Sequence, residues 1–335
     1  MGKHRGALSG VARFLKAAGA EEEAAGPSEP RPPPAKKRKT AIDDEVGYVP
    51  LEEYSELQWI KSYDATGLVP HYTHKSQVPE KLQKYFAQRT RFLSLYSTPP
   101  GCLLDEEGWY SITPELVADR IAERCRCDTI LDAFCGVGGN AIAFAKTCER
   151  VIALDISPTR LKLARHNAQI YGVADRIEFI LGDYISFAHS YLSMQSGSTP
   201  SRKIDVVFLS PPWGGPGYIS GESTRPPSPT KPTPPAETVE HPEHPSYTLA
   251  SIQPVDGAEL FHLTRRITRN VAYYLPRNTR LEEISALLPF ADGATDDTNT
   301  EEKVEVEEEW MGSKLKALTC YFGGLAEGQP ELFDA

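Results

Sequence analysis

The sequence predicts an α/β chain built around a doubly wound parallel sheet, and three observations predict it. Strand-like and helix-like stretches alternate β-α-β-α-β from Thr129 to Leu181. Three acidic residues, Asp132, Asp155 and Asp183, stand at or near the carboxyl ends of those strands. A fourth apolar run, Ile204–Leu209, has Val206, Val207 and Phe208 at its centre, the composition of a strand buried on both faces. Ligands of such sheets bind outside the carboxyl ends of the strands, so these acidic residues and whatever follows Leu209 are the first candidates for a site.

The chain has 335 residues, 40% of them apolar, which suits one large domain with appendages. No apolar run is long enough to span a membrane, and Met1-Gly2-Lys3 is not followed by the apolar segment of a signal peptide. A net charge of −10 excludes a protein that coats nucleic acid through bulk charge, while leaving room for a local basic pocket. The cysteines are Cys102, Cys125, Cys127, Cys135, Cys148 and Cys320. None forms a C-x-x-C pair, so neither a zinc site nor a disulfide framework is expected, and a reducing compartment fits.

Taken in order, residues 1–45 read as a disordered tail, acidic from Glu21 and then rich in proline. Lys36-Lys37-Arg38-Lys39 within it reads as a nuclear localisation signal rather than a plain solvated charge run. Residues 46–125 are expected to form a helical extension, aromatic-rich and helical in pieces from Tyr48 to Gly108. Pro79–Leu95 predicts an amphipathic helix, with Leu82, Tyr85, Phe86, Phe92 and Leu93 inward and Lys81, Lys84, Arg89 and Arg91 on a basic face. Thr113 is expected to cap a helix with Pro114 in its first turn and Leu116, Val117 and Ile121 as its buried stripe.

Residues 126–325 carry the α/β domain. Thr129–Phe134 is a strand, the turn Asp132–Asn140 leads into a helix through Ala145, and Arg150–Leu154 is a second strand ending at Asp155. Ser157 caps a helix over Pro158–Tyr171, and Arg176–Leu181 is a third strand, followed by Gly182-Asp183. From Ser220 to about Gln253 the density of Pro, Ser and Thr predicts a disordered insertion. A helix over Gly257–Thr268, a strand at Val271–Leu275, a helix at Leu281–Leu288 and strands at Val304–Glu309 and Leu315–Phe322 complete the domain, with a short tail at 326–335.

Ser210-Pro211-Pro212-Trp213 follows the fourth strand. Proline cannot donate to a ladder, and Pro211 holds Ser210 extended, so the sheet stops there. Gly214 and Gly215 then let the backbone turn, and Trp213 is placed to stack on something planar. A bland reading makes Trp213 a core plug. The chemical reading is the [DNS]-P-P-[YFW] corner that this stretch resembles in methyltransferases acting on exocyclic amines. In that corner the Ser210 hydroxyl or carbonyl and the Pro211 carbonyl accept the hydrogens of a flat amine while Trp213 holds its ring. The turn Gly136-Val137-Gly138-Gly139 does not fit the dinucleotide pattern G-x-G-x-x-G. It resembles the looser methyltransferase turn, in which Asp155 accepts hydrogen bonds from the donor's ribose hydroxyls and Asp183 reaches the adenine amine.

Asp132–Asn140 (D-A-F-C-G-V-G-G-N), Ser210–Pro216 (S-P-P-W-G-G-P), Leu275–Asn278 (L-P-R-N) and Lys314–Lys316 (K-L-K) together resemble the trimethylguanosine synthase family of RNA cap guanine-N2 methyltransferases. The resemblance spans roughly residues 80–325 apart from the insertion. It implies a Rossmann-like class I methyltransferase sheet with a small N-terminal helical subdomain, S-adenosylmethionine as methyl donor, and m7G-capped small nuclear and nucleolar RNA as substrate. Thr113, Asp132, Gly136, Asp155 and Asp183 would bind the donor. Ser210, Pro211 and Trp213 would form the catalytic corner, with Trp213 stacked on the methylated guanine. Lys84, Tyr218, Arg277 and Lys316 would hold the cap phosphates. A monomeric, nuclear or nucleolar enzyme is expected, whose tail meets snRNP or snoRNP core proteins.

Physical chemistry supports the same assignment. An N7-methylguanine ring is cationic, and a Trp face attracts it by about 0.5–2 kcal/mol. Lys84, Arg277 and Lys316 are the short-range phosphate partners that an acidic protein needs. Cys135 lies in the donor turn rather than the P-P-W corner, which excludes a Cys-dependent pyrimidine mechanism. The alternatives are a guanine-N2 or adenine-N6 methyltransferase acting on rRNA, tRNA or DNA, and an RNA-binding protein that has lost catalysis.

Overall fold

The computed structural model describes residues 63–195, 203–214, 246–288 and 302–326. The two tails, Lys36–Lys39, Tyr218 and residues 220–245 of the expected insertion lie outside the described residues.

The helical extension is made of short pieces, not the single helix expected over Pro79–Leu95. Its helices are α1 (Gln83–Phe86) and α2 (Arg89–Phe92), with the backbone leaving helical geometry at Gln88 (φ −112°, ψ 10°). The break lets Leu82 and Phe86 from one piece and Phe92 and Leu93 from the next reach one core around Tyr96 and Trp109. Val137 and Leu163 of the α/β domain join that core, so the extension is seated over the glycine turn. α3 (Glu106–Ser111), absent from the sequence reading, is capped by Asp105, whose carboxylate accepts the Gly108 N–H at 2.8 Å.

α4 spans Glu115–Arg124, and its N-cap is Pro114 without a side-chain cap, correcting the expected Thr113 cap. Thr113 is instead buried, with its hydroxyl turned inward. Leu116 is 78% exposed, so the inward stripe is Val117, Ala118, Ile121 and Ala122. Val117, Ala118, Ile121 and Ala122 share one face through their i, i+4 spacing, and Leu116 projects from the opposite face.

The sheet elements follow as β1 (Thr129–Asp132), α5 (Gly139–Thr147), β2 (Arg150–Asp155), α6 (Pro158–Ile170), β3 (Ile177–Leu181), α7 (Tyr184–Gln195), β4 (Val206–Leu209), α8 (Gly257–Arg265), β5 (Val271–Pro276), α9 (Leu281–Ser285), β6 (Glu305–Met311) and β7 (Lys314–Phe322). They form a seven-stranded sheet in the order β3-β2-β1-β4-β5-β7-β6, with β7 antiparallel to both neighbours and the rest of the ladder parallel. This is the Rossmann-like sheet of a class I methyltransferase, with the β6–β7 hairpin as its antiparallel edge.

Side chains alternate across the sheet with the two-residue period of strands. Ile130, Val206, Phe208 and Ala272 face α4 and α5, whereas Leu131, Val207, Leu209 and Tyr273 face α7, α8 and α9. α7 has no counterpart in the sequence reading, because its serines and His189 blur the apolar stripe that Tyr184, Ala188 and Tyr191 form. Ordered structure before α8 begins by Ser246, earlier than expected: Tyr247 bridges to Thr279, and Leu249 and Ile252 are buried. Arg124 joins α4 to the hairpin through two bonds to Glu305, at 2.7 and 2.6 Å, and Arg120 meets the fully buried Glu309 at 2.6 Å.

Candidate active site

β1 and β4 are neighbours at the point where the chain's strand order reverses, the place where ligands enter sheets of this kind. Every site residue that the sequence analysis selects and the structure describes lies near this end of the sheet or on the elements that overhang it.

On the donor side, the turn after β1 is tied down by the Cys135 N–H, which donates to the Leu154 carbonyl at 2.8 Å. Gly136 adopts φ +54°, a conformation that strains other residues, and faces open space. Gly138 is glycine for a second reason, since a Cβ there would meet Cα of Ala164 on α6 at 3.1 Å. The Asp155 carboxylate accepts the Gly136 N–H at 2.9 Å and the Ser157 N–H at 2.8 Å, one on each oxygen. A carboxylate has about four acceptor positions, so two hydroxyls can still be accommodated.

Asp132 is fully buried, and neither carboxylate oxygen has a hydrogen-bond partner among the described residues. The N–H groups of Phe134 and Ala141 point toward it without closing a bond. Burial pushes its pKa up to about 8, and the neighbouring Asp155 charge pushes the same way. Thr113 accepts the Asn140 side-chain amide at 3.0 Å, while Oδ1 of Asn140 is buried and unpartnered among the described residues. Asn140 is missed by the sequence reading as a site residue, although it ends the quoted glycine motif. Asp183 caps α7 by accepting the Ser186 N–H at 2.8 Å, so one of its oxygens already has a structural task.

These groups fit S-adenosylmethionine, which presents an ammonium, a ribose diol and an adenine amine. An unpartnered buried carboxylate, a second carboxylate with spare acceptor positions and an open glycine turn are the chemical complement of those groups. The Cys135 thiol is held neutral by burial and by Asp132 and Asp155, which raise its pKa well above the ordinary thiol value. It offers no nucleophile.

On the acceptor side, the Ser210 hydroxyl donates to the Phe134 carbonyl at 3.4 Å. Pro211 is buried and Pro212 exposed, which fixes the exit of β4. Trp213 is half-buried, its ring 5.3 Å from that of Tyr274 and tilted by 30°, and it contacts the cores on both faces of the sheet. The bland and chemical readings of Trp213 are therefore compatible: the side chain is wedged by the core and also keeps part of its surface exposed.

Cations gather where the end of β5 meets the start of β7. Arg277, just past β5, donates from Nη1 to the Leu315 carbonyl at 3.2 Å, which fixes it next to Lys316 on β7. Burial lowers the Lys316 ammonium pKa, and the charges of Lys314, Arg277, Arg91 and Lys84 lower it further. The structure thus brings Lys84, Arg277 and Lys316 together from three separate elements. Arg91 and Lys314 stand with them and are absent from the sequence-based site.

A family model for RNA cap guanine-N2 methyltransferases matches residues 127–224 and 232–325. Trimethylguanosine synthase from Schizosaccharomyces pombe (strain 972) is 34% identical over 256 residues, covering 73% of this chain and 87% of that protein. Trimethylguanosine synthase from Saccharomyces cerevisiae (strain S288c) is 32% identical over 223 residues, covering 63% of this chain and 61% of that protein. The glycine turn, the S-P-P-W corner and the hairpin cations all fall within the matched segments. The chain belongs to the RNA cap guanine-N2 methyltransferases, enzymes that methylate the exocyclic amine of cap guanine with S-adenosylmethionine as donor.

Proposed function

We propose that the substrate is an N7-methylguanosine cap and the final product its 2,2,7-trimethyl form, made on small nuclear and nucleolar RNAs in the nucleus. The single observation that carries this reading is that Trp213, past the end of β4, packs on Tyr274 of β5, the strand that leads into Arg277 beside Lys316. An aromatic face next to phosphate-binding cations suits a cationic ring joined to a phosphate bridge. The names of the two yeast relatives and the basic run Lys36–Lys39 support the same reading.

Within it, Thr113, Asp132, Gly136, Asp155 and Asp183 hold the donor, which supplies the methyl group. Trp213 stacks on the methylated base. The Ser210 hydroxyl and the Pro211 carbonyl accept the N2 hydrogens and aim the amine's lone pair. Lys84, Tyr218, Arg277 and Lys316 neutralise the cap phosphates. The chain's contribution is positioning, and no strong base is required because the N2 proton becomes acidic once the methyl group has bonded.

The test is to incubate the protein with labelled donor and m7GDP, GDP or uncapped RNA. The expected result is methylation of m7GDP with kcat/KM at least about tenfold above that for GDP, a difference of about 1.4 kcal/mol. A ratio near one, or preference for uncapped RNA, overturns the cap reading in favour of an rRNA or tRNA guanine substrate.

A further inference from the structure

Several cations on this acidic chain are neutralised by an ion pair. Arg120, Arg124, Arg150, Arg160, Arg265 and Lys146 each meet a carboxylate. Lys84, Arg91, Arg277, Lys314 and Lys316 do not, among the described residues. Like charges gathered without counter-charges oppose folding, so a cluster of this kind is suited to an anion that arrives from outside.

The cluster is also larger than a cap requires. A cap's triphosphate bridge carries about one charge per phosphate, and the cap reading already assigns it Lys84, Arg277 and Lys316. Arg91 and Lys314 are left over. Both are exposed, Arg91 on α2 and Lys314 at the start of β7, directly after the turn at Gly312-Ser313. Lys314 and Lys316 are two residues apart on one strand, so they share a face, with Lys314 about 7 Å farther toward the hairpin tip. The cationic surface therefore continues outward from the cap phosphates in two directions, across α2 and along the hairpin.

We infer that Arg91 and Lys314 bind backbone phosphates of the RNA chain that follows the cap, extending the site from a cap pocket to a short single-strand track. The inference rests on the cap reading. A flexible RNA strand leaving the cap carries one charge per nucleotide and must cross the surface beside Lys316, the proposed cap-phosphate partner on which the charges of both cations act. An acidic peptide is the rival occupant, but nothing ties it to the cap position.

The experiment compares the full chain with the doubly substituted R91A/K314A protein on two substrates: the cap dinucleotide m7GpppG and a short oligoribonucleotide bearing the same cap. The expected wild-type kcat/KM is roughly three- to tenfold higher on the oligoribonucleotide, the range available to two exposed charge contacts. R91A/K314A should lose that advantage while keeping wild-type activity on m7GpppG and an unchanged thermal midpoint. Its dependence of log kcat/KM on log salt for the longer substrate should flatten by about 1.4, at about 0.7 per single-strand phosphate contact. Three results overturn the inference: no advantage of the longer RNA in the wild type, an advantage that survives in R91A/K314A (as an acidic-peptide surface would give), or equal losses on both substrates. Wild type inactive on both capped substrates but active on uncapped RNA would instead bring down the cap reading, and this inference with it.

Discussion

The Ser210 hydroxyl donates to the backbone carbonyl of Phe134 across 3.4 Å, joining the exit of β4 to the turn that leaves β1. The residue proposed to receive the amine is thus held by the loop proposed to receive the donor. A bond of that length contributes little to stability, so Ser210→Ala should fold normally. Its effect should appear in kcat, reduced by about 10–100-fold through misalignment of the two reactants, with KM for m7GDP changed far less. Steady-state kinetics showing the loss in KM alone would make Ser210 a binding residue rather than an aiming one.

Trp213 separates a ring that is merely held from a cation that is attracted. Trp213→Phe keeps a plane over the substrate and weakens the cation attraction, whereas Trp213→Ala removes both. Partial activity on m7GDP is expected for the Phe protein and almost none for the Ala protein, with the m7GDP/GDP ratio falling between wild type and Phe. Because Trp213 also contacts both core faces, thermal melts must accompany the kinetics. A Phe protein with an unchanged ratio would confine Trp213 to packing.

Asp132 predicts a conflict between stability and binding. Its folded-state pKa of about 8 lies above the unfolded carboxylate value near 3.9, so the unfolded chain ionises first. Stability is unpenalised below about pH 4 and declines as pH rises toward about 8, after which the penalty is constant. Asp132→Asn removes the ionisation, so without donor its melting temperature should gain on wild type as pH increases across that window. Donor affinity should nonetheless weaken by roughly 1.5–3 kcal/mol, the cost of losing a charged hydrogen-bond partner. Calorimetry at pH 5 and pH 8.5 with and without S-adenosylmethionine checks both halves, and a melting-temperature difference independent of pH would refute the first.

Arg124 predicts a purely structural loss. It donates twice to Glu305 and at 2.9 Å to the Leu325 carbonyl, and its guanidinium lies 4.1 Å from the Tyr321 ring centre. Arg124→Ala should cost about 1.5–3 kcal/mol in urea unfolding, because a charged hydrogen-bond network is broken where the arginine is nearly buried. Km-type changes for the donor should be small, since none of these contacts reaches the glycine turn.

The elements most legible in the sequence were those whose signal is local. Val206–Leu209 is a buried strand because its apolar run is continuous, and Ser157 does cap α6, accepting the Arg160 N–H at 3.3 Å. The aspartates, glycine turn and S-P-P-W corner stand out for the same reason: each is a short local motif. Features set by distant packing were not readable. Thr113 looks like a helix cap until Asn140 draws its hydroxyl inward, and the Pro79–Leu95 helix breaks because two apolar pairs must reach one core. The charge of Arg91 reaches Lys316 only in the folded chain, a relation that no spacing along the sequence announces.

The hairpin has one more consequence, at its outer strand. Among the described residues β6 is the outermost strand, an edge whose backbone groups another strand could join. Its residues include Glu305, Glu307, Glu308 and Glu309, and its pairing with β7 is irregular between Glu309 and Trp310. A second copy laid along this edge would meet the exposed Glu308 carboxylate of its neighbour on a strand already bent out of register. The outer strand therefore refuses templated growth, and the hairpin can present its lysines to solvent without becoming a seed for aggregation.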